Sequence, residues 1–324
     1  MTRMTFQEAT VRAIAEEMRA DPSVFVMGED VGAFGGPLRS TAGLHEQFGT
    51  EGRVIDTPIS ESTFTGVGVG AAMYGKRPVV DLMFLEFLPL VMQQLLDAGA
   101  MHYYSGGAQR VPLVVRAKYG IGPFHGHAFD HHSWATNLPG VRVVAPSNPA
   151  DAYTMMRAAI RDDNPILFLE HMALYHAGRA EVAGEKDASS LSTARVAREG
   201  TDVTIAGSAA MVKKALTAAT RLDKEGISAE VVDLRSLAPL ETGALLASVH
   251  KTGRALVLSE AVARGSSSND VIRVIACEAF DALRAAPVLL ASSELPVPFA
   301  RELEAAYVPG VHDIAEAARQ LSKA

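Results

Sequence analysis

The residue most able to do chemistry is Glu61, in RVIDTPISES (residues 53–62). There an apolar, strand-like pair, Val54-Ile55, breaks into a proline turn and small polar residues. Ser60 or Ser62 is placed to cap the helix that follows. After STFT come Gly66-Val67-Gly68-Val69-Gly70, then Gly75, which leave one helix face almost bare. A carboxylate at the mouth of such a helix is a positioned acid or base. Its purely structural role would be to complement the helix dipole, with Gly66 and Gly70 admitting a close neighbouring helix. A dinucleotide fingerprint fits poorly, because its glycines form the turn directly after a strand; here the strand ends at Ile55, well upstream of Gly66.

A second cluster lies in GIGPFHGHAFDHHSW, with His125, His127, His131, His132 and Asp130. Histidine and aspartate are ordinary metal ligands, but this spacing matches no firm metal signature. Imidazole is also the side chain whose charge changes near neutral pH, so these histidines suit proton transfer as well.

Alternating elements position both clusters. Thr5–Met18 has apolar residues at helical spacing, and Asp21-Pro22 ends it. Short β-branched runs follow at Val24–Met27, Pro78–Leu82, Val111–Ala117, Val141–Ala145 and Pro165–Leu169. Helical stretches at Leu90–Tyr104 and Pro149–Arg161 separate some of them. Apolar strands alternating with helices predict an α/β chain with mainly parallel sheets covered on both faces. AGEKDASSLSTARVAREG (183–200) is polar and aperiodic and reads as a linker, after which the α/β alternation resumes with a smaller sheet.

The 324 residues allow two domains, and 48% hydrophobic with 21% charged residues excludes a disordered chain. A net charge of −7 without a lysine-rich run makes nucleic acid an unexpected partner. No apolar run is long enough to span a membrane, and the acid-bearing N-terminal stretch lacks the features of a targeting signal. A single cysteine, Cys277, suits a reducing compartment, so the expected location is cytoplasmic.

Several motifs occur in one order: Gly28-Glu29-Asp30-Val31-Gly32 with Gly35-Gly36, DTPISES, GKRPVVDLMFLEF, YYSGG, VPLVVRA, HHS, PSNPADA, AAIRDDNP and VVDLRSL. The series resembles the β subunit of the thiamine diphosphate-dependent, decarboxylating component of 2-oxoacid dehydrogenase complexes. That family includes pyruvate, branched-chain and acetoin types, and the resemblance runs from about Thr5 to the C-terminal helix. It implies a pyrimidine-binding thiamine-enzyme domain over 1–184, a linker over 185–200 and a transketolase C-terminal-like domain over 201–324. Glu61 would hydrogen-bond or protonate N1′ of the aminopyrimidine, favouring the tautomer whose exocyclic nitrogen can take the thiazolium C2 proton. Ile59 and Ser60 would sit beside it, Met83 and Phe87 would wall the ring, and Glu29 would lie near it. His132 would face the substrate, with His131 as the second choice.

The resemblance also implies a structural K+ held by backbone carbonyls of Leu113, Ala159, Ile160, Asp162 and Asn164. The Gly-Asp-Gly segment and following asparagine that anchor the diphosphate through Mg2+ in such enzymes are not found in this sequence. That half of the site would come from an α subunit in an α2β2 heterotetramer, and acyl transfer would go to a lipoyl-bearing acyltransferase. The histidine loop departs from the family pattern: it is slightly longer, and Trp134 follows the serine, which puts substrate preference in question. RVIDTPI and DLMFLEF lean toward pyruvate or acetoin without separating the substrates. A split transketolase, transferring two-carbon units between sugar phosphates, is the alternative. It would need basic residues near the cofactor, and Arg110, Arg116, Lys118 and His125 are the candidates. A scaffold that has lost its chemistry is the third reading, against which Glu61 and His132 stand.

Overall fold

The computed structural model describes residues 2–182 and 191–324. The chain packs as two units, one of residues 1–119 and 134–191, the other of residues 120–133 and 192–324.

The first unit holds strands β1 (Val24–Gly28), β2 (Val54–Asp56), β3 (Arg77–Phe84), β4 (Val114–Tyr119), β5 (Arg142–Val144) and β6 (Ile166–His171). They lie side by side in the order β5-β6-β4-β3-β1-β2, and every pair is parallel. Helices α1 (Phe6–Ala20), α2 (Glu61–Met73), α3 (Leu88–Tyr104) and α4 (Pro149–Arg161) accompany them. β4 and β6 are buried along their whole length, including the charged Arg116, Lys118 and Glu170. α1 starts with a full capping box: Thr5 Oγ1 accepts from the Glu8 N–H, and Glu8 Oε2 accepts from the Thr5 N–H. Ile14, Met18, Val24, Val26, Met156 and Phe168 belong to one buried core.

In the second unit, β7 (Arg195–Arg198), β8 (Val203–Gly207), β9 (Ala229–Asp233), β10 (Ala255–Val262) and β11 (Val288–Ser292) form a sheet in the order β11-β10-β8-β9-β7. Only the edge strand β7 is antiparallel to its neighbour. Helices α5 (Ala209–Asp223), α6 (Gly243–Thr252), α7 (Ser268–Glu278), α8 (Arg301–Tyr307) and α9 (Val311–Ser322) complete it.

Two boundaries differ from expectation. Of the predicted linker, residues 185–190 lie outside the described residues, while Arg195–Arg198 is a strand. Its Arg-Val-Ala-Arg sequence is short and half-polar, as edge strands are, so it carried no apolar signal. Residues 120–133, expected in the first domain, belong to the second unit. The Ile121 N–H donates to Glu260 Oε1 at 2.6 Å, His125 Nδ1 lies 2.8 Å from Glu304 Oε2, and Ile121 packs on the second core. No helix among the described residues is long and apolar enough to cross a membrane.

Candidate active site

In parallel α/β sheets, ligands bind beyond the carboxyl ends of the strands. Register places Gly28 opposite both Asp56 and Asp81, so β1 and β2 end at one level and β3 continues past it to Phe84. Glu29 follows β1, Ile59, Ser60 and Glu61 follow β2, and Met83 lies near the end of β3. Five of the predicted cofactor residues therefore gather along one edge. Gly28 makes the strands' close approach possible: its φ is +154°, and a Cβ there would lie 2.5 Å from Asp81 O.

Glu61 opens α2 and is only 9% exposed, whereas Ile59 is 74% exposed. Ser60 stands at the cap position, but its hydroxyl reaches the Pro58 carbonyl at 3.4 Å rather than capping the helix. Within the same turn, Thr57 Oγ1 is buried with no hydrogen-bond partner among the described residues. The Glu29 carboxyl is pushed up from its ordinary range, first by partial burial and then by the charges of Asp30 and Glu61. Glu29 and Glu61 are thus within electrostatic reach of each other. The glycines divide their work. A Cβ on Gly68 would lie 2.7 Å from Val80 Cγ2, so Gly68 lets α2 sit against β3, while Gly70 faces open space.

Met83 has φ +69°, a conformation a methionine rarely adopts, at a bulge in the pairing of β3 with β4. A buried ion pair holds it there. Asp81 Oδ1 accepts from the Met83 N–H at 2.8 Å, and Lys118 Nζ donates to Asp81 Oδ1 at 2.9 Å and to Met83 O at 3.2 Å. Burial alone would raise the Asp81 carboxyl; Lys118 and Arg116 outweigh it and hold the group below its ordinary range. Burial lowers the Lys118 ammonium, with Asp81 opposing the shift. Phe87 packs edge-on against Phe84, with ring centroids 6.4 Å apart. Asp81 carried no signal in the sequence, and Lys118 was read there only as a candidate phosphate-binding base, because their pairing spans two strands.

Two of the predicted potassium ligands, Ile160 and Asp162, come together around a cation of the chain. Arg77 Nη1 donates to Ile160 O and Asp162 O, both at 2.9 Å, and Arg77 Nη2 donates to Asp163 Oδ1 at 2.8 Å. Leu113 O accepts from the Ile166 N–H at 2.8 Å. Three of the five carbonyls expected around K+ thus serve the Arg77 guanidinium and the sheet.

In the second unit the histidines diverge, which removes the basis for a shared metal. His125 pairs with Glu304, His131 stacks on Phe129 at 5.3 Å, and His132 contacts Asp130 through Nδ1 and Ser267 through Nε2. A cavity of about 140 Å³ borders this loop, lined by Asp130, His131, Glu260 and Tyr307 among others. Burial first, then Asp130 and Glu260, pushes the Tyr307 phenol up.

Residues 2–177 match the transketolase pyrimidine-binding domain, and residues 192–314 match the transketolase C-terminal domain. The chain is 40% identical to the 2-oxoisovalerate dehydrogenase subunit beta of Bacillus subtilis, covering 100% of both chains. It is 41% identical to the pyruvate dehydrogenase E1 component subunit beta of the same organism, covering 99% of each. The chain belongs to the β-subunit family of 2-oxoacid dehydrogenases. Another relative in this family is the acetoin:2,6-dichlorophenolindophenol oxidoreductase subunit beta of Cupriavidus necator, 39% identical over 99% of this chain and 98% of that one. A solved split-gene transketolase, described as an inactive beta4 tetramer, has the same fold with a TM-score of 0.80 at 23% identity, covering 99% of each chain. Near-equal identity to three β subunits with different substrates in their names leaves substrate choice to local features of the site.

Proposed function

We propose that this chain is the β subunit of a thiamine diphosphate-dependent 2-oxoacid dehydrogenase of the cytosol. It would work with an α subunit in an α2β2 assembly and pass the acyl group to a lipoyl-bearing acyltransferase. The observation that carries the reading is the carboxyl edge of β1, β2 and β3, along which buried Glu61, half-buried Glu29 and the clamped Met83 are arrayed. That edge fits an aminopyrimidine. It offers a carboxylate for a ring nitrogen, an orphaned hydroxyl on Thr57, and an apolar side chain fixed in an unusual backbone conformation.

Thiamine diphosphate, when bound, supplies the carbon nucleophile and accepts the electron pair released on loss of carbon dioxide. Glu61 would hold a proton at the pyrimidine N1′ and exchange it as the ring changes tautomer. Met83 would support the ring face, and Asp81 with Lys118 would keep Met83 from relaxing. Mg2+ and the diphosphate would be held on the α side.

The split-transketolase alternative needs basic groups for a sugar phosphate, and the four candidates are all engaged. Arg116 forms a bidentate pair with Glu170 at 2.6 and 2.7 Å, and Lys118 binds Asp81. Arg110 lies 2.9 Å from Asp163, and His125 binds Glu304. The dehydrogenase reading is therefore preferred.

Glu61→Gln tests it. Glutamine keeps the shape but cannot exchange a proton, so the reconstituted assembly should form normally and lose roughly 10²–10⁴ in turnover of its 2-oxoacid. Wild-type turnover by that variant would remove the basis for the reading.

A further inference from the structure

His132 is buried, and both of its ring nitrogens lie within hydrogen-bond reach of an oxygen. Nδ1 contacts Asp130 Oδ1, and Nε2 lies 2.6 Å from Ser267 Oγ. The Asp130 carboxylate also accepts from the His132 backbone N–H at 3.3 Å. The next residue grips the same serine, since the Ser267 N–H donates to Ser133 Oγ at 2.9 Å. Two consecutive residues of the histidine loop thus hold one residue at the start of α7. The Asp130 and His132 side chains are only 5% and 7% exposed, so water competes little for these bonds.

The chemistry of the three groups sets the direction of the protons. An ionised carboxylate only accepts, so the neutral imidazole facing it carries its proton on Nδ1. Nε2 is then an acceptor, and the Ser267 hydroxyl donates to it. Carboxylate, imidazole and hydroxyl stand in the order that raises the basicity of a hydroxyl in hydrolytic triads.

We propose that Asp130, His132 and Ser267 form a proton relay, with Asp130 the positioning residue that fixes the tautomer and Ser267 the member that meets the substrate's proton. A hydroxyl or thiol proton of the reacting species passes to Ser267 Oγ as the proton of Ser267 passes to His132 Nε2. Asp130 then balances the imidazolium. One O–H or S–H bond breaks, one N–H bond forms, and no electrons change hands. The identity of the proton donor rests on the dehydrogenase reading; the relay's hydrogen bonds do not.

The experiment has two arms. Nitrogen NMR of the full chain labelled at histidine, with His132→Gln to assign the signal, reads the tautomer directly. The wild type should show the Nδ1–H form, and Asp130→Asn should move the signal toward the Nε2–H form, the wrong-tautomer outcome that loss of the orienting carboxylate produces in hydrolytic triads. An Nε2–H form in the wild type, or an unchanged signal in Asp130→Asn, overturns the proposal. In the second arm the chain is assembled with its α subunit. Ser267→Ala should lower kcat by about 10- to 100-fold with KM for the oxoacid within about twofold, and Ser267→Thr should restore most of it. An unchanged kcat in Ser267→Ala, or covalent labelling of Ser267 by a fluorophosphonate, which would mark it as a nucleophile, overturns the relay. If the wild-type assembly turns over no 2-oxoacid, the functional reading fails, and the tautomer arm alone decides the relay.

Discussion

Glu29 holds its proton to higher pH than an ordinary glutamate because it is partly buried and faces Asp30 and Glu61. A raised carboxyl pKa means the folded chain resists an ionisation that the unfolded chain makes freely. The resulting penalty is absent below about pH 4 and appears as pH rises through the folded-state value. Glu29→Gln removes it. The variant should therefore melt higher than wild type at pH 7 and equally at pH 4, while its turnover falls if Glu29 serves the pyrimidine ring. A variant less stable than wild type by the same margin at both pH values would contradict this. His132 allows a separate test in the reconstituted assembly. If it stabilises charge during acyl transfer, His132→Ala should impair the complete reaction with a lipoylated domain more than decarboxylation assayed with an artificial electron acceptor. An electrostatic group of this kind contributes roughly 3–4 kcal/mol. Equal impairment in both assays would assign His132 to substrate binding instead. Glu29 and His132 were legible only through the family resemblance, whereas Glu61 stood out in the sequence because its signal is local, a spacing and a turn. Ser267 did not, because its partner lies 135 positions away in the chain and a serine among serines has no pattern of its own.

At the scale of elements, the strands were legible because burial on both faces leaves short runs of consecutive apolar residues, as in the VPLVV of VPLVVRA and the PILFL of PILFLE. The bulge at Met83 was not, since nothing in LMFLEF marks a methionine for positive φ. What maintains it is the Asp81–Lys118 pair, formed between adjacent strands on either side of the bulge. Lys118→Met leaves Asp81 buried without its closest cation. Breaking such a pair costs roughly 3–5 kcal/mol, which chemical denaturation of the purified chain will read. The Asp81 carboxyl, held below its ordinary range, contributes stability that is present above about pH 4 and lost as pH falls toward its folded-state value. The double variant Asp81→Leu with Lys118→Met separates stability from function. It should recover most of the lost stability, because an apolar pair of similar volume replaces the ions, yet bind the cofactor poorly in the assembly because Met83 is no longer clamped. Wild-type cofactor affinity in the double variant would show that the clamp is unnecessary.

On the function proposed above, the whole molecule would carry half of a catalytic centre. Its first unit builds the edge suited to an aminopyrimidine, but the sequence has no Gly-Asp-Gly segment with a following asparagine to anchor a diphosphate through Mg2+. Its surface is arranged in keeping with a partner. Val67 and Tyr74, on and just after α2, are 55% and 93% exposed, and Tyr103 and Tyr104 at the end of α3 are 68% and 85% exposed. Gly70 would meet nothing within 4 Å if it carried a Cβ, so the bare face of α2 is open to close approach by another chain. Aromatic side chains on a surface that includes such a face are characteristic of stable protein interfaces. The isolated chain should therefore bind thiamine diphosphate weakly or not at all, with or without Mg2+, and should gain tight, Mg2+-dependent binding when the α subunit is added. Titration calorimetry on the chain alone and on the purified assembly makes the comparison, and size-exclusion chromatography with light scattering gives the mass of each species. Substituting Gly70 with a bulkier residue should leave the isolated chain folded, since its Cβ has free space, while weakening assembly. Tight, Mg2+-dependent binding to the chain by itself would mean that it holds a complete cofactor site and that the α subunit serves another purpose.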